Sequence, residues 1–167
     1  MTTSERTPEP EFYGPQFLRI DLPRGRAQPA VWRWIIGTIV AVAASLAACF
    51  VLAAGATAMF PSLAGYQHFQ FGDYSRLTII GVIGACIGWP VVTWFTSSAR
   101  RLYLWLAIIV DVVSLAPDAW ILHQGQPPLG VATLIAMHIA LGIVTYPAMV
   151  FIAPQRPARP GVHTARG

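Results

Sequence analysis

Four long apolar segments, separated by short polar connections, dominate the pattern of hydrophobic and polar positions along the chain. They run from about Trp34 to Ala56, from Leu77 to Phe95, over 102–123, and from about Val131 to Ala153. A helix of about 20 apolar residues crosses the hydrocarbon core of a bilayer, and each segment has about that length. The pattern therefore predicts an all-α protein, a bundle of four transmembrane helices.

Polar stretches rich in proline flank the apolar region. They divide the chain into a tail over 1–31, a transmembrane domain over 32–153, and a basic tail over 154–167. Proline lacks a backbone N–H and disrupts helices, so we expect both tails to be extended or disordered.

Composition and charge support a membrane protein and predict its orientation. Of the residues, 55% are hydrophobic and 11% are charged, whereas about a quarter are charged in soluble domains. Five arginines lie before or at the start of the first segment, two in the turn 96–101, and three in the last tail. The remaining arginine, Arg76, lies in the loop after the first segment. Basic residues concentrate on the cytoplasmic side of membranes, so both termini are predicted to be cytoplasmic.

The third segment carries two carboxylates. Asp111 lies ten residues beyond Arg101, roughly 15 Å into the membrane. A charge at that depth costs roughly 2.5–3.5 kcal/mol on insertion scales. Asp118 follows one heptad later on nearly the same helical face, and Ser114 lies between the two.

His138 adds a titratable group in the fourth segment. The connection 124–129 is short, which predicts that the third and fourth helices are antiparallel neighbours. Asp111, Asp118 and His138 could then share one interior surface, with Ser114 and Thr133 as hydrogen-bond partners. Such clusters either relay protons or cations, or hold helices together by polar contacts.

Glycines mark the second segment as a candidate for close helix packing. Gly84 and Gly88 form a G-x-x-x-G motif, with Gly81 about one turn earlier. Small residues at this spacing let two helix backbones approach closely, within the bundle or between copies of the chain. The two cysteines, Cys49 and Cys86, lie on different segments and are expected to be buried small residues.

Other kinds of chemistry find little support. Two aspartates and one histidine could supply three metal ligands, but no compact ligand motif accompanies them. No nucleophile–base arrangement, phosphate loop or nucleic-acid motif is present, so we expect no cofactor, no nucleic-acid partner and no enzyme activity. The loop 57–76 is rich in aromatic residues, which predicts packing on the headgroup layer or on the helix ends.

Residues Ser114–Asp118, the pair Met137-His138 and the Arg100-Arg101 turn resemble a family of small four-helix integral membrane proteins of actinobacteria, a family of unknown function. The resemblance covers about residues 32–152. It implies a four-helix fold in a bacterial inner membrane, and it supplies no catalytic residues.

Two functions therefore compete. The first is an accessory or structural membrane protein, which packs with itself or with a larger membrane complex in the bilayer. The second is a small transporter or channel, coupled to protons or cations, that uses Asp111 and His138.

Overall fold

The computed structural model describes residues 28–156, where all regular structure is helical. The helices are α1 (Val31–Met59), α2 (Phe71–Phe95), α3 (Ala99–Ser114), α4 (Ala116–His123) and α5 (Pro128–Pro147). Two short 3₁₀ turns, Pro61–Leu63 and Gln67–Phe69, lie in the loop before α2, and a π turn, Ala148–Ile152, extends α5. The predictions for residues 1–27 and 157–167 lie outside the described residues.

Four spans are long and apolar enough to cross a membrane, which confirms the predicted four-helix all-α fold. They are Val31–Met59, Phe71–Phe95, Ala99–His123 and Pro128–Ile152. The third span consists of α3 and α4, because the helix breaks at Leu115. Pro117 has no N–H for the carbonyl one turn earlier, and its ring crowds that carbonyl. The sequence predicted this segment as one helix, and proline accounts for the difference.

Helix α5 packs against each of the other four helices, and α1 also packs against α2. We call the end of the bundle with Gln28, the turn 96–98 and Arg156 the terminal end, and the opposite end the loop end. At the terminal end the rings of Tyr103 and Tyr146 stack at 5.9 Å. At the loop end Asp118 meets His138. The third span therefore runs antiparallel to α5.

One face of α1 carries the small residues that allow neighbouring helix backbones to approach closely. Gly37, Ala41, Ser45, Cys49 and Ala53 are buried and recur every four residues along one face. A Cβ at Gly37 would lie 2.7 Å from Cε of Met149. These small side chains let α1 lie close to its neighbours.

Of the α2 glycines that the sequence analysis singled out, Gly88 faces a neighbouring helix of the bundle, and Gly81 and Gly84 do not. A Cβ at Gly81 or Gly84 would meet no other group within 4 Å, and one at Gly88 would lie 3.9 Å from Cε2 of Tyr103. Gly81 and Gly84 face outward because Val82, Cys86 and Trp89 occupy the buried side of α2. Contact of the glycine face with another chain stays a prediction.

At the terminal end, side chains of one span donate hydrogen bonds to backbone carbonyls of another. Pro90 leaves the carbonyl of Cys86 without its helical donor, and Nε1 of Trp34 donates to that oxygen at 2.8 Å. Nε1 of Trp89 donates to the carbonyl of Ala153 at 2.7 Å. These bonds satisfy polar backbone groups that water cannot reach.

Residues near the start of the first span and just after the fourth also form hydrogen bonds at the terminal end. Nε of Arg33 donates to the carbonyl of Ile152 at 2.7 Å. Nε2 of Gln155 donates to the carbonyl of Thr96 at 2.8 Å, just beyond the last turn of α2. Both cysteines, Cys49 and Cys86, are buried as unpaired thiols.

Candidate functional site

Asp118 occupies the first turn of α4 and is the one buried residue of that helix. The break at Leu115 places it there, because α4 starts again at Ala116 with Pro117 in its first turn. Proline suits this position because an N–H of the first turn has no partner within the helix. A carboxylate near a helix N-terminus also interacts favourably with the helix dipole. The local sequence thus favours a carboxylate at this point.

His138 is the partner of Asp118 across the helix interface. Its Nδ1 lies 3.0 Å from Oδ2 of Asp118, and the side chains are 33% and 8% exposed, respectively. The same Nδ1 lies 3.1 Å from the carbonyl oxygen of Leu134 and is aligned with it. Oδ2 of Asp118 has no aligned hydrogen-bond donor among the described residues. The contact between the two side chains is therefore an ion pair when the imidazole is protonated, rather than a linear hydrogen bond.

Asp111 lies deeper in the bundle, against the backbone of α5. A Cβ at Gly142 would be 3.3 Å from Oδ2 and 3.6 Å from Cγ of Asp111. The glycine thus leaves the room that the half-buried carboxylate occupies. Gly142 follows His138 by one turn of α5. Asp111 therefore lies about one turn of α5 from His138, whose imidazole is in contact with Asp118.

The sequence also predicted the hydroxyls of Ser114 and Thr133 in this cluster. Both hydroxyls donate hydrogen bonds within their own helices. Oγ of Ser114 donates to the carbonyl of Asp111 at 2.7 Å. Oγ1 of Thr133 donates to the carbonyl of Leu129 at 2.9 Å. Local bonds of this kind compete well with bonds across helices because the acceptor is always within reach. The structure thus brings together Asp111, Asp118 and His138, and leaves Ser114 and Thr133 outside their contacts.

Tyr66 of the loop before α2 completes the site, and the sequence analysis did not single it out. Its ring lies on Gly130, where a Cβ would be 3.0 Å from Cε1 of Tyr66. Its hydroxyl is buried without a hydrogen-bond partner among the described residues. Burial, and then the nearby Asp118 carboxylate, raise the pKa of Tyr66.

An aromatic cluster surrounds Tyr66. Its ring centroid lies 5.2 Å from that of His68 and 5.0 Å from that of Phe69, with edge-to-face geometry in both pairs. His68 also interacts electrostatically with Asp118. The aromatic composition of the loop was the one signal in the sequence that pointed to this packing.

The chemistry available to these groups is limited to charge and protons. Between residues 28 and 156, no three side chains of His, Cys, Asp or Glu converge as metal ligands. Asp111, Asp118 and His138 can hold two helices together or exchange a proton.

Comparison with protein-family models, with curated proteins and with solved structures finds no match for this chain. The arrangement of the site is therefore the ground for a functional proposal.

Proposed function

We propose that this protein is an accessory component of a bacterial plasma membrane, without enzyme activity, in which the contact between Asp118 and His138 fastens the third span to the fourth. The observation that carries this proposal is the distribution of buried residues along the third span. Ala99, Tyr103 and Asp118 are buried, and no residue between Tyr103 and Asp118 is. The buried residues of this span thus lie near its two ends.

The attachment at the terminal end is aromatic. The hydroxyl of Tyr103 donates to the carbonyl of Ala85 at 3.0 Å. Its ring meets Trp89 edge-to-face at 5.1 Å and stacks on Tyr146. Aromatic pairs of this kind contribute about 0.5–1.5 kcal/mol each beyond the area they bury.

The attachment at the loop end is polar. Asp118 is the residue of α4 that enters the bundle, and His138 is the ionisable partner it meets there. Polar contacts between membrane helices contribute about 0.6 kcal/mol on average and up to about 1.7 kcal/mol. A contact of this size is enough to orient a short helix whose other side chains bury little area.

The middle of the third span supports a role in assembly. It is the least buried of the four spans, and Val110, Val112 and Val113 are each more than 60% exposed. Lipid or a second protein can cover such a flank equally well in terms of the hydrophobic effect. The proposal is that a protein covers it, either another copy of the chain or a different subunit of a membrane complex.

Photocrosslinking in cells distinguishes whether lipid or protein contacts this flank. A photoreactive amino acid at Val113, 65% exposed, is compared with one at Val51, 65% exposed on α1. We expect protein adducts from Val113 and lipid adducts alone from Val51, and mass spectrometry then identifies the partner. Lipid adducts alone at both positions would contradict the accessory role.

A second candidate is a small transporter or channel coupled to protons or cations. The observation that favours it is the position of His138, which is in contact with Asp118 and lies one turn of α5 from Gly142, where Asp111 packs. Intramembrane chains of aspartate and histidine mark ion pathways. Reconstitution in proteoliposomes tests it: a proton or cation flux that Asp111→Asn abolishes, in a protein of unchanged stability, would replace the accessory role with transport.

A further inference from the structure

Tyr66 lies between the Asp118–His138 pair and the loop end of the bundle. Gly130, on which its ring rests, precedes His138 by eight residues of α5, a rise of roughly 12 Å toward the loop end. The loop that carries Tyr66 joins α1 to α2 at that same end. The ring therefore covers the approach to the pair from the water beyond the loops.

The Tyr66 ring packs directly on Gly130. Any larger residue would put a Cβ 3.0, 3.2 and 3.3 Å from three atoms of the Tyr66 ring, which is closer than ordinary van der Waals contact. Gly130 also has a negative φ, since the described glycines with positive φ are Gly65 and Gly125. A glycine is therefore needed at position 130 to leave room for the Tyr66 ring, and not to allow an unusual backbone conformation.

The burial of polar atoms is consistent with a dry environment. The hydroxyl of Tyr66 and Oδ2 of Asp118 are both out of contact with solvent, and both lack an aligned hydrogen-bond partner among the described residues. The side chain of Asp118 is 8% exposed, although it belongs to a helix whose other residues bury little. Attraction between charges strengthens as water is removed from around them.

We propose that Tyr66 is a positioning residue for the Asp118–His138 pair: its ring, seated on Gly130, keeps water from the pair at the loop end and so sets the strength of the contact. This inference rests on the proposed fastening of the third span and adds the loop element that controls it. The ring does the shielding, and the hydroxyl does not contribute.

The test measures access to the region of the pair in a protein that keeps it. Ile121→Cys, at a partly buried position of α4 about one turn from Asp118, is labelled with a charged, membrane-impermeant thiol reagent in three backgrounds: unchanged, Tyr66→Phe and Tyr66→Ala. We expect equal rates for the unchanged and Tyr66→Phe proteins, because both keep the ring. Tyr66→Ala should be labelled about tenfold faster, which corresponds to about 1.4 kcal/mol in the free energy of exposure.

Gly130→Ala tests the packing of the Tyr66 ring on Gly130. It should raise the labelling rate although Tyr66 itself is unchanged. The buried thiols of Cys49 and Cys86 serve as internal controls, because they are 1% and 0% exposed and react only if the fold opens. Equal labelling of position 121 in the Tyr66→Ala and unchanged proteins, with both internal thiols protected, would overturn the inference. Faster labelling in Tyr66→Phe would also contradict it.

A second measurement separates this inference from the proposed function. The cost of Asp118→Ala in free energy of unfolding is compared between the Tyr66→Phe and Tyr66→Ala backgrounds. If Tyr66 shields the pair, this cost falls in Tyr66→Ala and is retained in Tyr66→Phe. A cost that is the same in both backgrounds refutes the shielding and leaves the fastening intact, whereas no cost in either refutes the fastening itself.

Discussion

The two partners of the Asp118–His138 pair differ in exposure, and their replacement should therefore have unequal costs. His138→Ala leaves a carboxylate that is 8% exposed without its partner, whereas Asp118→Ala leaves an imidazole that is 33% exposed. Breaking a buried pair costs about 3–5 kcal/mol because it leaves an uncompensated charge. We expect His138→Ala to cost about 3 kcal/mol, the lower limit of that range.

Asp118→Ala should cost less. Its imidazole partner is one third exposed and stays in contact with the carbonyl of Leu134. We expect a loss of about 1.5 kcal/mol, close to the largest values for polar contacts between membrane helices. In a double-mutant cycle the two changes should couple by about 1.5 kcal/mol, since each removes the same contact.

Equilibrium unfolding in mixed detergent micelles, followed by the fluorescence of the tryptophans, gives the free energies. Ser114→Ala and Thr133→Ala are matched controls on the same two spans, because their hydroxyls bond to their own helices. Each control should change the free energy by no more than about 0.5 kcal/mol. Equal costs for the two alanine variants of the pair, or a coupling below about 0.3 kcal/mol, would refute the reasoning.

Three further predictions concern the rest of the molecule. Asp111→Asn should change the free energy of unfolding by less than about 0.5 kcal/mol and Asp111→Leu by more, because the amide keeps the shape and polarity of the carboxylate; unfolding in mixed micelles measures both. Trp34→Phe should cost about 1 kcal/mol in the same assay, because it removes the donor to the carbonyl of Cys86. A reporter active only outside the cytoplasm should be active when fused after Gly125 and inactive after Ala99, and activity after Ala99 would contradict the predicted orientation.

The spans could be predicted from the sequence because hydropathy is a property of each segment by itself. The second predicted segment ends at Phe95, where α2 also ends, and the third ends at His123, as α4 does. The break at Leu115 was harder to predict because a proline in a membrane helix can either kink it or end it. Hydropathy does not distinguish these outcomes.

The close packing of helices within the bundle was hard to predict, because small residues reveal such contact only when the facing helix is known. The glycines at 81 and 84 are conspicuous, yet the contact lies on α1, where glycine, alanine, serine and cysteine share the same spacing. Tyr66 was missed for a related reason. Its seat, Gly130, lies 64 residues along the chain, and no local pattern links a loop tyrosine to a glycine at that distance.

The bonds at the terminal end make the molecule stiff at one end and compliant at the other. There, Trp34, Arg33, Gln155 and Trp89 each donate a hydrogen bond to a backbone carbonyl of another segment, and Tyr103 of the third span donates to the carbonyl of Ala85, so the four spans are linked into one block at this end. None of these bonds carries a carboxylate or an imidazole, so changes of proton concentration leave the block intact. The α4 part of the third span meets the bundle instead through an ionisable contact, beyond the break in the helix at Leu115. We therefore expect α4 to move about this break more readily than the linked end of the bundle moves.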